Sequence, residues 1–122
     1  MPLAYKIDKE HRLVTSTGWG TITRQEIIDH QQRLAADPDF GRSYSSIADF
    51  TRVTKLEVTG ADVRTFAAKN VFAPNARRAI VVADGEAFGL ARMFEILGDA
   101  NGEEGIRTFR NVEDAQAWVQ SP

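Results

Sequence analysis

Arg78-Ala79-Ile80-Val81-Val82-Ala83-Asp84-Gly85 is the stretch that decides the fold. Ala79 to Val82 is an unbroken apolar run with no polar alternate to turn toward water. It reads as a strand buried on both faces. Asp84-Gly85 then supplies a turn, and Glu86 to Leu97 continues as a helix with the apolar stripe Ala87, Leu90, Ala91, Phe94 and Leu97. A buried strand that feeds a helix is half of a β-α-β unit, which predicts a mainly parallel sheet.

The neighbouring segments extend that pattern in both directions. Downstream, Asn101 to Gly105 is a mobile loop, Ile106 to Phe109 is a short strand, and Asn111 caps a last helix. Asp114 stands three residues after that cap, and Val112, Ala115, Trp118 and Val119 face inward. Upstream, Thr59 with Asp62 caps a helix that turns Val63, Phe66 and Ala67 inward, and Pro74 bars continuation. Ser46 to Phe50 is a strand centred on Ile47, and Thr51 to Val58 is a loop. Thr23-Arg24-Gln25-Glu26 is a capping box that starts a helix running to Ala36, with the stripe Ile27, Ile28, Leu34 and Ala35. Asp37-Pro38 ends it. Tyr5 to Asp8 and Leu13 to Gly20, separated by the polar turn Lys9 to Arg12, form an antiparallel hairpin. The order is β-β-α-β-α-β-α-β-α. It predicts one α/β domain over residues 1–122, with right-handed crossovers and a mixed, mostly parallel sheet led by the hairpin.

Composition narrows the function classes. Fifteen basic and 17 acidic side chains give a formal net charge of −2, which offers no general attraction to nucleic acid or to an anionic membrane. The absence of cysteine excludes disulfides, thiolate nucleophiles and thiolate metal centres. No run approaches the length needed to span a bilayer, and Met1 to Tyr5 carries no signal pattern, so the expected location is cytoplasmic. Gly-x-Ser-x-Gly elbows, Walker loops and dinucleotide glycine patterns are missing.

The element order and the segment Asp49-Phe50-Thr51-Arg52-Val53-Thr54-Lys55-Leu56-Glu57-Val58-Thr59-Gly60 resemble the STAS domain of anti-sigma-factor antagonists. More closely, the whole chain resembles the SpoIIAA-like proteins of the STAS/SEC14 group. Arg12-Leu13-Val14, His30 to Phe40, Ala73 to Arg78 and Phe88 to Met93 carry the likeness. The resemblance implies a STAS/SpoIIAA-like fold and a protein-interaction or regulatory role. Lipid-binding relatives of the same group imply the alternative of a small-ligand or lipid binder. In the antagonists, an acidic residue is followed by a phosphorylated serine, a second serine and a glycine. Here that register holds Glu57, Val58, Thr59 and Gly60. Val58 has no hydroxyl to phosphorylate, and Thr59 reads as a helix N-cap.

Each remaining candidate has a plain reading beside the functional one. Asp49 and Glu57 bracket the end of the third strand, where open α/β sheets favour ligands, and Thr51, Thr59 and Trp19 join them as a possible ligand or partner loop. A carboxylate enzyme using Asp49 or Glu57 is the remote alternative. The plain reading is that Asp49 accepts backbone N–H groups just after it. Trp19, between Gly18 and Gly20, reads as a core residue beside a bulge, with an exposed anchor as the alternative. Two dispersed histidines, His11 and His30, give no metal-ligand spacing, so neither metal nor cofactor is expected. Arg77-Arg78 reads as a solvated strand start or, with Lys69, as an anion contact. Gln31 falls within an apolar stripe, where a buried amide needs partners; a neighbouring backbone group is the ordinary one, and contact with a ligand is the alternative.

The helix at 86–97 carries a second apolar side. Gly89, Met93 and Ile96 lie opposite its core stripe, with Arg92 beside them and Phe88 on the flank. A helix apolar on two sides is usually covered on both. Phe88, Gly89, Arg92, Met93 and Ile96 are therefore the candidate interface of a homodimer, with an unidentified protein partner or small ligand beside it. The chain reads as a non-enzymatic binding module.

Overall fold

In a computed structural model, which describes residues 2–69, 71–83, 85–102 and 104–121, nine elements follow the predicted order. They are β1 (Leu3–Asp8), β2 (Leu13–Thr23), α1 (Arg24–Ala36), β3 (Ser45–Glu57), α2 (Gly60–Ala67), β4 (Arg78–Val81), α3 (Gly85–Ala100), β5 (Ile106–Phe109) and α4 (Val112–Gln120). One sheet holds the strands in the order β1-β2-β3-β4-β5. β1 and β2 are antiparallel, and every other neighbouring pair is parallel. Asp84 of the predicted turn and Glu103 of the predicted loop lie outside the described residues.

The helix starts form as their sequences dictate. Thr23 Oγ1 accepts from Glu26 N at 3.2 Å, and Glu26 Oε1 accepts from Thr23 N at 2.9 Å. Thr59 and Asp62 repeat the exchange at 3.1 and 2.9 Å. Asn111 Oδ1 accepts from Asp114 N at 2.9 Å. Each reciprocal pair satisfies two backbone donors that a helix start leaves open.

The strands put alternate residues on opposite faces. Ile47, Ala79 and Val81 face α4, where they form a closed core with Ala115 and Val119. α1, α2 and α3 lie over the other face, where Val14, Leu34, Phe72 and Ala76 form a second cluster.

Four sequence expectations need correction. Thr51 to Val58 is not a loop, because β3 continues to Glu57 and pairs with β2 from Trp19 to Thr23. β4 stops opposite Asp49, so this outer part of β3 pairs with β2 as a two-stranded ribbon. The β-branched residues Thr51, Val53 and Thr54 and the fully buried Ile22 favour that extension. Ala35 is exposed, so α1's inward side is turned toward Ile27, His30 and Gln31. Ile80 is only half-buried although its strand lies inside the sheet. Trp19 is 42% exposed and is not a core residue. The expected bulge is present: the β2–β3 register shifts between Thr17 and Trp19 and again between Gly20 and Thr21. Gly20 sits there at φ 65, in the left-handed region that glycine occupies without penalty.

Candidate functional site

Half-burial of Ile80 has a direct cause. A cavity of about 160 Å³ lies between the sheet and α1, α2 and α3. Its floor is the inward row of β3 and β4, with Ser46, Ala48 and Phe50 on one strand and Arg78 and Ile80 on the other. α1 contributes Ile27, His30, Gln31 and Leu34. Phe66 of α2, Phe72 of the following loop and Phe94 of α3 complete an aromatic wall. The lining is mostly apolar with a few polar side chains, as small-molecule sites usually are.

Five polar side chains line that space: Ser16, His30, Gln31, Ser46 and Arg78. His30 Nε2 lies 2.9 Å from Ser16 Oγ, and the edge of the Tyr5 ring packs against the imidazole with centroids 5.4 Å apart. Tyr5 is itself held by a hydrogen bond from its hydroxyl to Asp37 Oδ2 at 2.7 Å. Burial, and then the nearby Arg33 charge, lowers His30 to about 4, so the ring is neutral at pH 7. Gln31 Oε1 is buried and has no hydrogen-bond partner among the described residues. The expected bond from Gln31 to a neighbouring backbone group is therefore not made through this oxygen.

Arg78 places its guanidinium carbon 4.3 Å from the Phe72 centroid and 5.4 Å from the Phe94 centroid. Such stacking holds a cation against an apolar wall. The solvated strand start predicted for the Arg77-Arg78 pair is thus corrected. Strand alternation sends the two side chains to opposite faces. Arg77 donates to the carbonyls of Trp118 and Ser121 at the end of α4, where a cation meets the helix's open acceptors.

None of Trp19, Asp49, Thr51, Glu57 and Thr59 lines the cavity. Asp49 Oδ1 accepts from Thr51 N at 3.0 Å and from Thr51 Oγ1 at 2.7 Å, which is the local role its plain reading expects. Glu57 is exposed, 3.9 Å from Lys55 Nζ. Thr59 caps α2. The cavity instead takes their neighbours Phe50, Leu56 and Val58. Sequence reasoning passed over Ser16 and Phe72 altogether. Gln31, a polar residue inside an apolar stripe, was the usable signal.

The α3 candidates are spread over different surroundings. Met93 is half-buried against α2, and its Cε would lie 3.3 Å from a Cβ placed on Gly60. Phe88 lies under Arg110, whose guanidinium carbon is 4.3 Å from the ring centroid. Arg92 pairs with Glu95 of its own helix at 2.6 Å, and Glu95 also accepts from Thr108 N. Gly89 is exposed with open space beside it, and Ile96 is 58% exposed. Among the described residues, no three His, Asp or Glu side chains gather to hold a metal ion, and no helix is long and apolar enough to cross a membrane.

Neither a family model nor a curated protein matches this sequence. Among solved structures, the chain is similar to an uncharacterised protein of the DUF3478 family from Shewanella loihica PV-4, described as having a SpoIIAA-like fold. The two share 16% identity, with a TM-score of 0.59 over 96% of this chain and 93% of that one. The chain therefore has a SpoIIAA-like fold.

Proposed function

We propose that this protein is a non-enzymatic binding module and that its working part is the cavity beneath α1, α2 and α3, which takes a small, mostly apolar ligand. The cavity itself carries this reading. Protein interiors are close-packed, yet here a mostly apolar space, partly open to solvent, is left between the sheet and three helices. Space of that kind on a central strand is explained by an occupant. The candidate carboxylates Asp49 and Glu57 stand outside it, which favours binding over catalysis. Val58, in the register of the antagonists' phosphorylated serine, is buried in the cavity wall, which favours a module without that phosphorylation switch. Native mass spectrometry of protein purified without denaturation is expected to show a small co-purified mass, lost when Ala48→Leu fills the floor. A wild type that carries no such mass and gains none from a small-molecule library would overturn the reading.

A second reading has its own observation. Ile96, a large apolar side chain more than half exposed on α3, is a natural centre for a symmetric contact between two copies. In that reading the module presents its bound or empty state through α3, which also walls the cavity.

A further inference from the structure

Gln31 Oε1 and the aromatic wall together specify more than "apolar". A buried carbonyl oxygen without a donor carries a desolvation penalty that a partner removes. Gln31 lines the cavity from α1, which makes an occupant of that cavity a source for the missing donor. Around the same space stand four phenyl rings, from Phe50, Phe66, Phe72 and Phe94. Rings gain edge-to-face contacts with one another beyond the area they bury, which an alkyl chain does not. Size narrows the choice. Drug-sized ligands fill pockets of roughly 300–1,000 Å³, and an engineered apolar cavity of about 150 Å³ in another protein accepts benzene. A volume of about 160 Å³ therefore matches a single ring.

Resting on the reading of this cavity as a ligand site, we infer that its ligand is a single-ring aromatic molecule bearing an O–H or N–H donor. The donor bonds Gln31 Oε1, and the ring lies among the four phenylalanines. His30 and Ser16, 2.9 Å apart on the same wall, provide a further polar contact for the ligand's oxygen or nitrogen.

The test uses phenol, benzene and cyclohexanol as probes of nearly equal size, titrated into the full chain at pH 7 and followed by protein NMR shifts. Phenol differs from benzene by the donor and from cyclohexanol by the ring. Because phenol is also better hydrated than benzene, the decisive quantity is the phenol-to-benzene affinity ratio in wild type against Gln31→Leu. Loss of one buried acceptor predicts that this ratio falls about tenfold in the variant. Circular dichroism checks that the variant folds, and Gln31→Met replaces it if it does not. A ratio unchanged by the substitution, with both probes bound, means that water serves Gln31. That outcome overturns the donor assignment and leaves the cavity a ligand site. Cyclohexanol bound as tightly as phenol overturns the aromatic assignment. If none of the three binds, the inference fails as a whole, while a co-purified mass in native spectrometry would still uphold a different ligand.

Discussion

The two faces of one sheet are finished differently here. On the α4 side, Ile47, Ala79, Val81, Ala115 and Val119 are all buried and close on one another. On the other side, of the intervening residues of the same two strands, Ser46 is buried but Ala48, Arg78 and Ile80 are only half-buried around a cavity. The backbone and the strand pairing are shared, so the sheet itself does not explain the contrast. What differs is the cover. One helix lies directly on β3, β4 and β5, whereas three helices on the other side bring bulky rings that leave a gap. In the proposed reading, the first face serves stability and the second gives up some packing for a site.

The sharpest way to break that comparison is to remove matching volume from each face. Ile47→Ala, in the closed core, is expected to cost about 4 kcal/mol in urea unfolding. Ile80→Ala, already beside open space, is expected to cost about 1 kcal/mol, since little new cavity is made. Equal losses would mean that both faces are packed alike and that the cavity is not open in solution.

Between pH 6.5 and 4, acid should act on the second face through His30. His30 is lowered from 6.5 to about 4 by burial, so folding favours its neutral form. Between those two values the unfolded chain binds the extra proton and the folded chain does not. Stability is therefore fully present above pH 6.5 and is lost as pH falls toward 4, by up to about 3 kcal/mol. His30→Gln, which keeps a hydrogen-bonding group near Ser16, should flatten the profile in that window. A slope that persists unchanged in His30→Gln would place its origin elsewhere.

Much of this architecture was written locally. The capping boxes at Thr23 and Thr59, the cap at Asn111 and the run Ala79 to Val82 each form with near neighbours, and each appears where short-range chemistry puts it. The cavity was not local. Its lining comes from seven strands and helices and three connecting loops, and no spacing within one segment reports what another segment leaves uncovered. The misread segment after Phe50 shows the same limit. Taken as a loop, it offers its polar residues as candidates. Formed as a strand, it alternates, turning Phe50 and Leu56 toward the cavity and leaving Thr51 and Glu57 exposed. The partner that makes it a strand is Trp19 to Thr23, about thirty residues earlier, on the far side of a bulge. Trp19 illustrates the reverse error. Large and apolar, it was expected inside, but that bulge leaves it exposed opposite Arg52.

Filling the gap sharpens the comparison further. Ala48→Leu adds volume where space exists, so it should change stability by less than about 1 kcal/mol, in either direction. The same substitution at Ala115, which is fully buried against the sheet, should cost about 2 kcal/mol by overpacking. Thermal unfolding of the two variants decides the matter. A large loss from Ala48→Leu would show that the floor of the cavity is already in contact with its roof.

The smallest effect on the fold is expected at the outer side of α3, which belongs to neither face of the sheet. Of the five residues first grouped there, Met93 packs on α2, Phe88 sits under Arg110, and Arg92 is held by Glu95. Gly89 and Ile96 are left facing open surface. Ile96→Glu should therefore leave stability within about 0.5 kcal/mol, as surface substitutions do. If two copies meet through this side, the two-fold relation places two new carboxylates in one apolar contact. Desolvating them would then dissociate the dimer. Light scattering at tens of micromolar should show a dimeric wild type and a monomeric Ile96→Glu with unchanged circular dichroism. Met93→Glu makes the contrast, because it should lower stability in the monomer itself by disturbing the α2–α3 contact at Gly60. A wild type that is monomeric at that concentration removes the dimer and leaves the cavity reading standing.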